Sequence, residues 1–179
     1  RSNKNKLIDK LIDTLNQIKG AYSLVILTNK KLIGVRDPFG IRPLVLGDKD
    51  GSPVLASETC ALDMIGAKYV RDIENGEIVV ITEKGIESIK PFKNISERPC
   101  IFERIYFASP DSIVGDKTVY TYRKSLGVEL AKENNISADV VVPIPDSGVS
   151  AALGFSQKSS IPFELGIIRS HYVGRTFIE

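Results

Sequence analysis

Leu7, Ile8, Leu11, Ile12, Leu15 and Ile18 recur at helical spacing with Lys, Asp and Asn between them. This predicts an amphipathic helix closed by Gly20. Beyond it the apolar residues fall in short runs: 21–27 and 32–35 read as strands across an Asn29-Lys30 turn. Residues 44–46 and 54–56 continue the series across Gly47-Asp-Lys-Asp-Gly51. Ser57 reads as the N-cap of a short helix over 58–65 that Gly66 ends. Residues 77–82 and 86–90 predict a hairpin across Glu83-Lys-Gly85. The first 92 residues therefore read as mostly antiparallel sheet with helices beside it.

Residues 91–99 are polar, contain two prolines and lack periodicity, which reads as a linker or domain-crossing segment. After it the pattern changes. Residues 101–107 predict a strand, and 118–133 a helix with Val119, Tyr122, Leu126 and Leu130 on one face. Residues 140–144 predict a strand, 149–158 a helix and 163–168 another strand. Strand–helix alternation of this kind predicts a parallel, doubly wound sheet.

Composition narrows the function classes. The chain has 179 residues and a formal net charge of +2, with no Lys/Arg run, which argues against a nucleic-acid surface. No apolar stretch approaches a membrane span, and the start at Arg1 is unlike a signal peptide. Cys60 and Cys100 form neither a CxxC pair nor a disulfide framework, so a reducing cytoplasm is expected. A single histidine, His171, argues against a His-rich metal site or a Ser-His-Asp triad.

Three segments carry candidate chemistry. The branched apolar run that begins at Val140 ends abruptly in the turn Pro143-Ile-Pro-Asp-Ser-Gly148 before a helix. Such a junction collects free N–H groups and the positive end of a helix dipole, which suit a phosphate or pyrophosphate. Gly148 would allow close backbone approach, Ser147 would offer a hydroxyl to the phosphate or its Mg²⁺, and Asp146 would orient the loop or the metal. The same residues also make an ordinary helix cap. Arg36-Asp-Pro-Phe-Gly-Ile-Arg-Pro-Leu44 is either a structural turn with Asp37 bonded to its own backbone, the favoured reading, or an arginine site for a carboxylate. Arg169-Ser-His-Tyr-Val-Gly-Arg-Thr-Phe177 is either a lid of cationic and aromatic groups around Gly174 or a solvated surface loop. Cys60 is expected to pack on the buried side of its helix. One cysteine cannot hold an iron–sulfur cluster, which takes about four thiolates.

In order along the chain stand Gly20-Ala-Tyr-Ser23, the 36–44 segment, Ala56-Ser-Glu-Thr-Cys-Ala61, Glu103-Arg-Ile-Tyr-Phe-Ala-Ser-Pro-Asp-Ser112, Pro143-Ile-Pro-Asp-Ser147 and Tyr172-Val-Gly-Arg-Thr-Phe-Ile178. Their order and spacing resemble the middle of the amidophosphoribosyltransferases along nearly the whole chain. The 36–44 segment is also similar to the glutaminase half of asparagine synthetases. The resemblance implies an α+β part followed by an α/β part. Residues 1–92 would be the back half of an N-terminal-nucleophile (αββα) glutaminase domain, and 93–179 the front half of a type I phosphoribosyltransferase domain. It implies an enzyme that joins ammonia from glutamine to phosphoribosylpyrophosphate, giving 5-phosphoribosylamine, glutamate and pyrophosphate. It further implies Mg²⁺ as cofactor and a homo-oligomeric complete enzyme in the cytoplasm, with small-molecule substrates and no nucleic-acid or membrane partner. By resemblance Asp146, Ser147 and Gly148 would form the pyrophosphate-side loop, with Ser147 a Mg²⁺ ligand. Arg169, Tyr172 and Arg175 would begin a loop that closes over the sugar phosphate. Cys100 matches the first ligand of a [4Fe–4S] centre in members that carry one; other members keep a cysteine there without a cluster.

There are departures. The family's nucleophilic cysteine opens the mature chain and uses its own α-amino group as base, whereas this chain opens on Arg1. The family's oxyanion-hole and Asp-Asp-Ser phosphoribosylpyrophosphate segments are not in the sequence. Ser109, Ser170 and His171 stand where many members have Arg, Asn and Arg. The expectation is an internal piece with no catalytic residue of its own, inactive by itself. The rival readings are an asparagine-synthetase-like ligase and a non-catalytic nucleotide sensor on a phosphoribosyltransferase fold.

Overall fold

The structure, a computed structural model, describes residues 2–93 and 95–174. Its contacts divide the chain into two compact units, residues 1–103 and 104–179.

The first unit opens with helix α1 (Leu7–Leu15). Strands β1 (Ser23–Leu27), β2 (Leu32–Arg36), β3 (Val45–Lys49) and β4 (Ser52–Ala56) follow. Helix α2 (Thr59–Met64) then leads to β5 (Lys68–Asp72), β6 (Ile78–Thr82) and β7 (Gly85–Ile89). The strands form two antiparallel sheets, ordered β1-β2-β6-β7 and β4-β3-β5. Side-chain alternation along each strand sets the layers. On β6, Ile78 and Val80 meet Leu15, Ile33 and Val35, against which Ile8, Leu11 and Ile12 of α1 pack. Val79 and Ile81 point the other way, to Leu46 of the second sheet and to Leu44 and Ile73, which flank its strands β3 and β5. Beyond that sheet Val45 meets Leu62 of α2. The unit is thus layered helix, sheet, sheet, helix.

Several expectations change here. Strand β3 continues through Gly47 to Lys49, and the chain turns at Asp50 and Gly51, both at positive φ. Strand β5 was not expected. It is an exposed edge strand whose polar, unalternating sequence gives no period-2 signal. The N-cap of α2 is Glu58, not Ser57, and its side chain makes no capping bond. Cys60 is half-buried, its Sγ 3.6 Å from Glu58 Oε2. The 91–99 segment is bonded to the first unit. Asn75 Nδ2 donates to the Ile95 carbonyl (2.9 Å), and Arg98 N–H to that of Phe39 (2.8 Å).

The expected strand over 101–107 is instead a single π-helical turn, Glu103–Phe107. Glu103 is 5% exposed, and its carboxylate pairs with Arg42. Arg123 binds the carbonyls of Arg104 and Ala108, each at 2.9 Å, which a strand would need for a ladder.

The second unit has a two-residue hairpin, β8 (Ile113–Val114) and β9 (Lys117–Thr118), then helices α3 (Val119–Glu133) and α4 (Val149–Ser159). Thr118 caps α3, its hydroxyl accepting from Thr121 N–H. The buried face of α3 is Val119, Arg123 and Gly127, while Leu126 and Leu130 of the expected face are 39% and 51% exposed. The helices meet through glycine: a Cβ on Gly127 would lie 1.8 Å from the Ala151 carbonyl oxygen, and one on Gly154 2.0 Å from that of Lys124. In place of the expected parallel sheet, the described residues hold one parallel bridge, Val141 with Phe163, with bonds of 2.8 and 3.0 Å on either side.

Candidate functional site

The 143–148 loop leaves the bridge strand at the buried Pro143 and delivers the chain to α4. Gly148 is the N-cap, and its N–H donates to the Ile144 carbonyl at 3.0 Å. Its backbone is right-handed, so glycine is needed there for space rather than for φ: a Cβ would sit 2.6 Å from Ile144 O. Asp146 and Ser147 are exposed. The Asp146 carboxylate accepts from Arg169 Nη1 at 2.9 Å, with the two side chains 67% and 58% exposed. Neither residue acts as the cap of α4, which weakens the plain-cap reading. What remains is an exposed Asp-Ser-Gly loop at the positive end of an 11-residue helix, with a guanidinium beside it.

The structure therefore brings Asp146, Ser147, Gly148 and Arg169 together. Tyr172 is 99% exposed and makes no bond with them. Arg175 lies outside the described residues. The 36–44 segment is a structural turn. Asp37 is fully buried and accepts from the N–H groups of Phe39 (3.0 Å), Ile41 (3.2 Å) and Arg42 (3.1 Å). Arg36 donates to the carbonyls of Arg42, Ile73 and Gly40 at 2.7–3.0 Å, which leaves it committed to the fold.

No group of three or more His, Cys, Asp or Glu side chains that could hold a metal occurs among the described residues. The donors of the 146–148 loop, one carboxylate and one hydroxyl, suit a Mg²⁺ that keeps its waters and arrives on phosphate oxygens rather than one caged by protein. The chain's two cysteines do not supply a cluster's four thiolates, and Cys100 is half-buried with its N–H on the Ile41 carbonyl. The residues present do not fit a cluster.

Sequence reasoning missed Arg71 and Glu77, which bind each other bidentately at 2.7 and 2.8 Å, with Glu77 1% exposed. Their separation of six residues carries no helical or strand period that would signal it.

A glutamine amidotransferase domain model matches residues 4–64. The amidophosphoribosyltransferase of Rhizobium etli is 56% identical over 100% of this chain and 37% of its own length. The chloroplastic amidophosphoribosyltransferase of Glycine max is 52% identical over 95% of this chain and 30% of its own length. The solved glutamine phosphoribosylpyrophosphate amidotransferase of Bacillus subtilis, complexed with ADP and GMP, is 44% identical. It superimposes with a TM-score of 0.95 over 100% of this chain and 39% of that one. The chain spans about a third of the length of these relatives, and over that whole span it belongs to the amidophosphoribosyltransferase family.

Proposed function

We propose that the chain forms part of an enzyme of purine synthesis that converts phosphoribosylpyrophosphate, glutamine and water to 5-phosphoribosylamine, glutamate and pyrophosphate. The observation that carries the reading is the 56% identity running along the entire chain, across both units, to a protein of that name. The first unit, layered helix–sheet–sheet–helix, is the later part of the N-terminal-nucleophile glutaminase domain, a reading its match to the amidotransferase model supports. The second unit is the early part of the phosphoribosyltransferase domain. Its Asp146-Ser147-Gly148 loop takes the pyrophosphate end of the substrate with Mg²⁺, and Ser147 offers its hydroxyl to the metal. Arg169, Tyr172 and Arg175 begin the loop that closes over the sugar phosphate. The setting is a reducing cytoplasm and the complete enzyme a homo-oligomer.

The test is calorimetric titration of the chain with phosphoribosylpyrophosphate and Mg²⁺, and separately with purine nucleotides. Binding of the sugar pyrophosphate that requires metal is expected. Binding of nucleotide alone would favour the sensor reading instead. Ser147→Ala is expected to weaken the metal-dependent binding about tenfold and to leave the unfolding of the first unit unchanged. An equal loss with and without metal would remove Ser147 from the metal's neighbourhood.

A further inference from the structure

Resting on the diphosphate reading of the 143–148 loop, we infer that the Asp146–Arg169 ion pair is an exchange latch. It neutralises the Asp146 carboxylate while no anion is bound. It opens when a magnesium-bound diphosphate arrives, Arg169 passing to a phosphate oxygen and the metal taking over the neutralisation of Asp146.

An acidic side chain is an awkward neighbour for a diphosphate, since like charges at contact distance repel. In this structure the charge of Asp146 is balanced by Arg169, which lies 23 residues further along the chain and reaches back to the loop. The contact is single, Nη1 to Oδ2 at 2.9 Å, and both side chains are more than half exposed. An exposed, one-point pair of this kind adds little to stability and is easily given up. A guanidinium meeting a phosphate can form two parallel charge-assisted bonds, which is the better partner for it. Nothing else among the described residues holds either side chain. The pair is therefore poised between two arrangements. Arg169 also begins the segment that carries the fully exposed Tyr172, so exchange at Asp146 changes what anchors that segment to the loop.

The latch is tested on the 179-residue chain with inorganic pyrophosphate, with and without Mg²⁺. The side-chain Nε resonance of Arg169, identified by its loss in Arg169→Lys, is compared between wild type and Asp146→Asn. Both positions are exposed, so these variants fold. In the ligand-free protein Asp146→Asn is expected to shift the Arg169 resonance. At saturating Mg²⁺-pyrophosphate it is expected to leave it unmoved. By calorimetry, Asp146→Asn is expected to bind metal-free pyrophosphate about tenfold more tightly than wild type and to gain less from added Mg²⁺. An Arg169 resonance equally sensitive to Asp146→Asn with and without bound ligand would show a static tether and overturn the latch, leaving the diphosphate reading in place. A wild-type chain that binds no pyrophosphate under either condition would overturn the diphosphate reading and the latch with it.

Discussion

Glu77 is a carboxylate placed where a carboxylate is costly. It is 1% exposed beside β6, and burial alone would raise its pKa. The hydrogen bonds from Arg71, the Ser88 hydroxyl and the Glu74 N–H, together with the Arg71 charge, outweigh burial and take it from 4.5 to about 2. Arg71 lies on β5 of one sheet and Ser88 on β7 of the other, so this carboxylate ties the two sheets together. A depressed carboxylate pKa stabilises the fold above the unfolded value, and that stability is lost as pH falls through the folded one. The window is therefore from about 4.5 down to about 2. The shift corresponds to roughly 3 kcal/mol, somewhat less because Arg71 is 37% exposed and partly screened. Glu77→Gln is expected to lower stability at neutral pH by about 2–3 kcal/mol and to flatten the acid limb of the stability curve, as measured by urea unfolding at stepped pH. An unchanged acid limb would show that other carboxylates set it.

At the scale of elements, the α3–α4 contact depends on two absent side chains. A methyl on Gly127 would run into the backbone of Ala151, which cannot move without displacing the whole helix. Gly127→Ala is therefore expected to cost about 2–3 kcal/mol despite its better helix propensity. Ser125→Ala, on the exposed side of the same helix, should stay within about 0.5 kcal/mol. Hydrogen exchange of α4 amides separates the two, since only the glycine variant should accelerate it. The same contact explains why the buried face of α3 was not legible. An apolar-periodicity rule looks for large residues and picks Tyr122, Leu126 and Leu130, whereas the close approach selects the smallest residue available. The α1 stripe and the β6–β7 hairpin were legible because packing there follows the helical and the strand period, and the α4 start because the Pro-Asp-Ser-Gly turn punctuates the chain before it. The segment at 101–107 misled for the opposite reason: its apolar residues suggest a strand, but the polar ties of Glu103 and Arg123 decide its shape.

At the scale of the whole molecule, the family was legible from motifs spread along the chain, and the glutamine amidotransferase character of its early part follows from residues 4–64. The turn through 146–148 into α4 was legible, although a single bridge residue, Val141, stands where a strand over 140–144 was expected, and the structure adds the guanidinium that flanks the turn. Contacts at spacings that match no helical or strand period, such as Arg71 with Glu77 across a turn or Asn75 with Ile95, leave no periodic trace and emerge only in three dimensions. The Asn75 tie bears on how the chain meets a protease. Residues 91–99 look like the natural place for a glutamate-specific protease to nick, with the exposed Glu97 in a proline-flanked polar stretch. Yet Arg98 holds the Phe39 carbonyl through its N–H and lays its guanidinium 5.4 Å from the Phe39 ring. Limited digestion should therefore spare the bond after Glu97, whose own N–H group is the one held, until the first unit itself opens, and Asn75→Ala should make it an early cut.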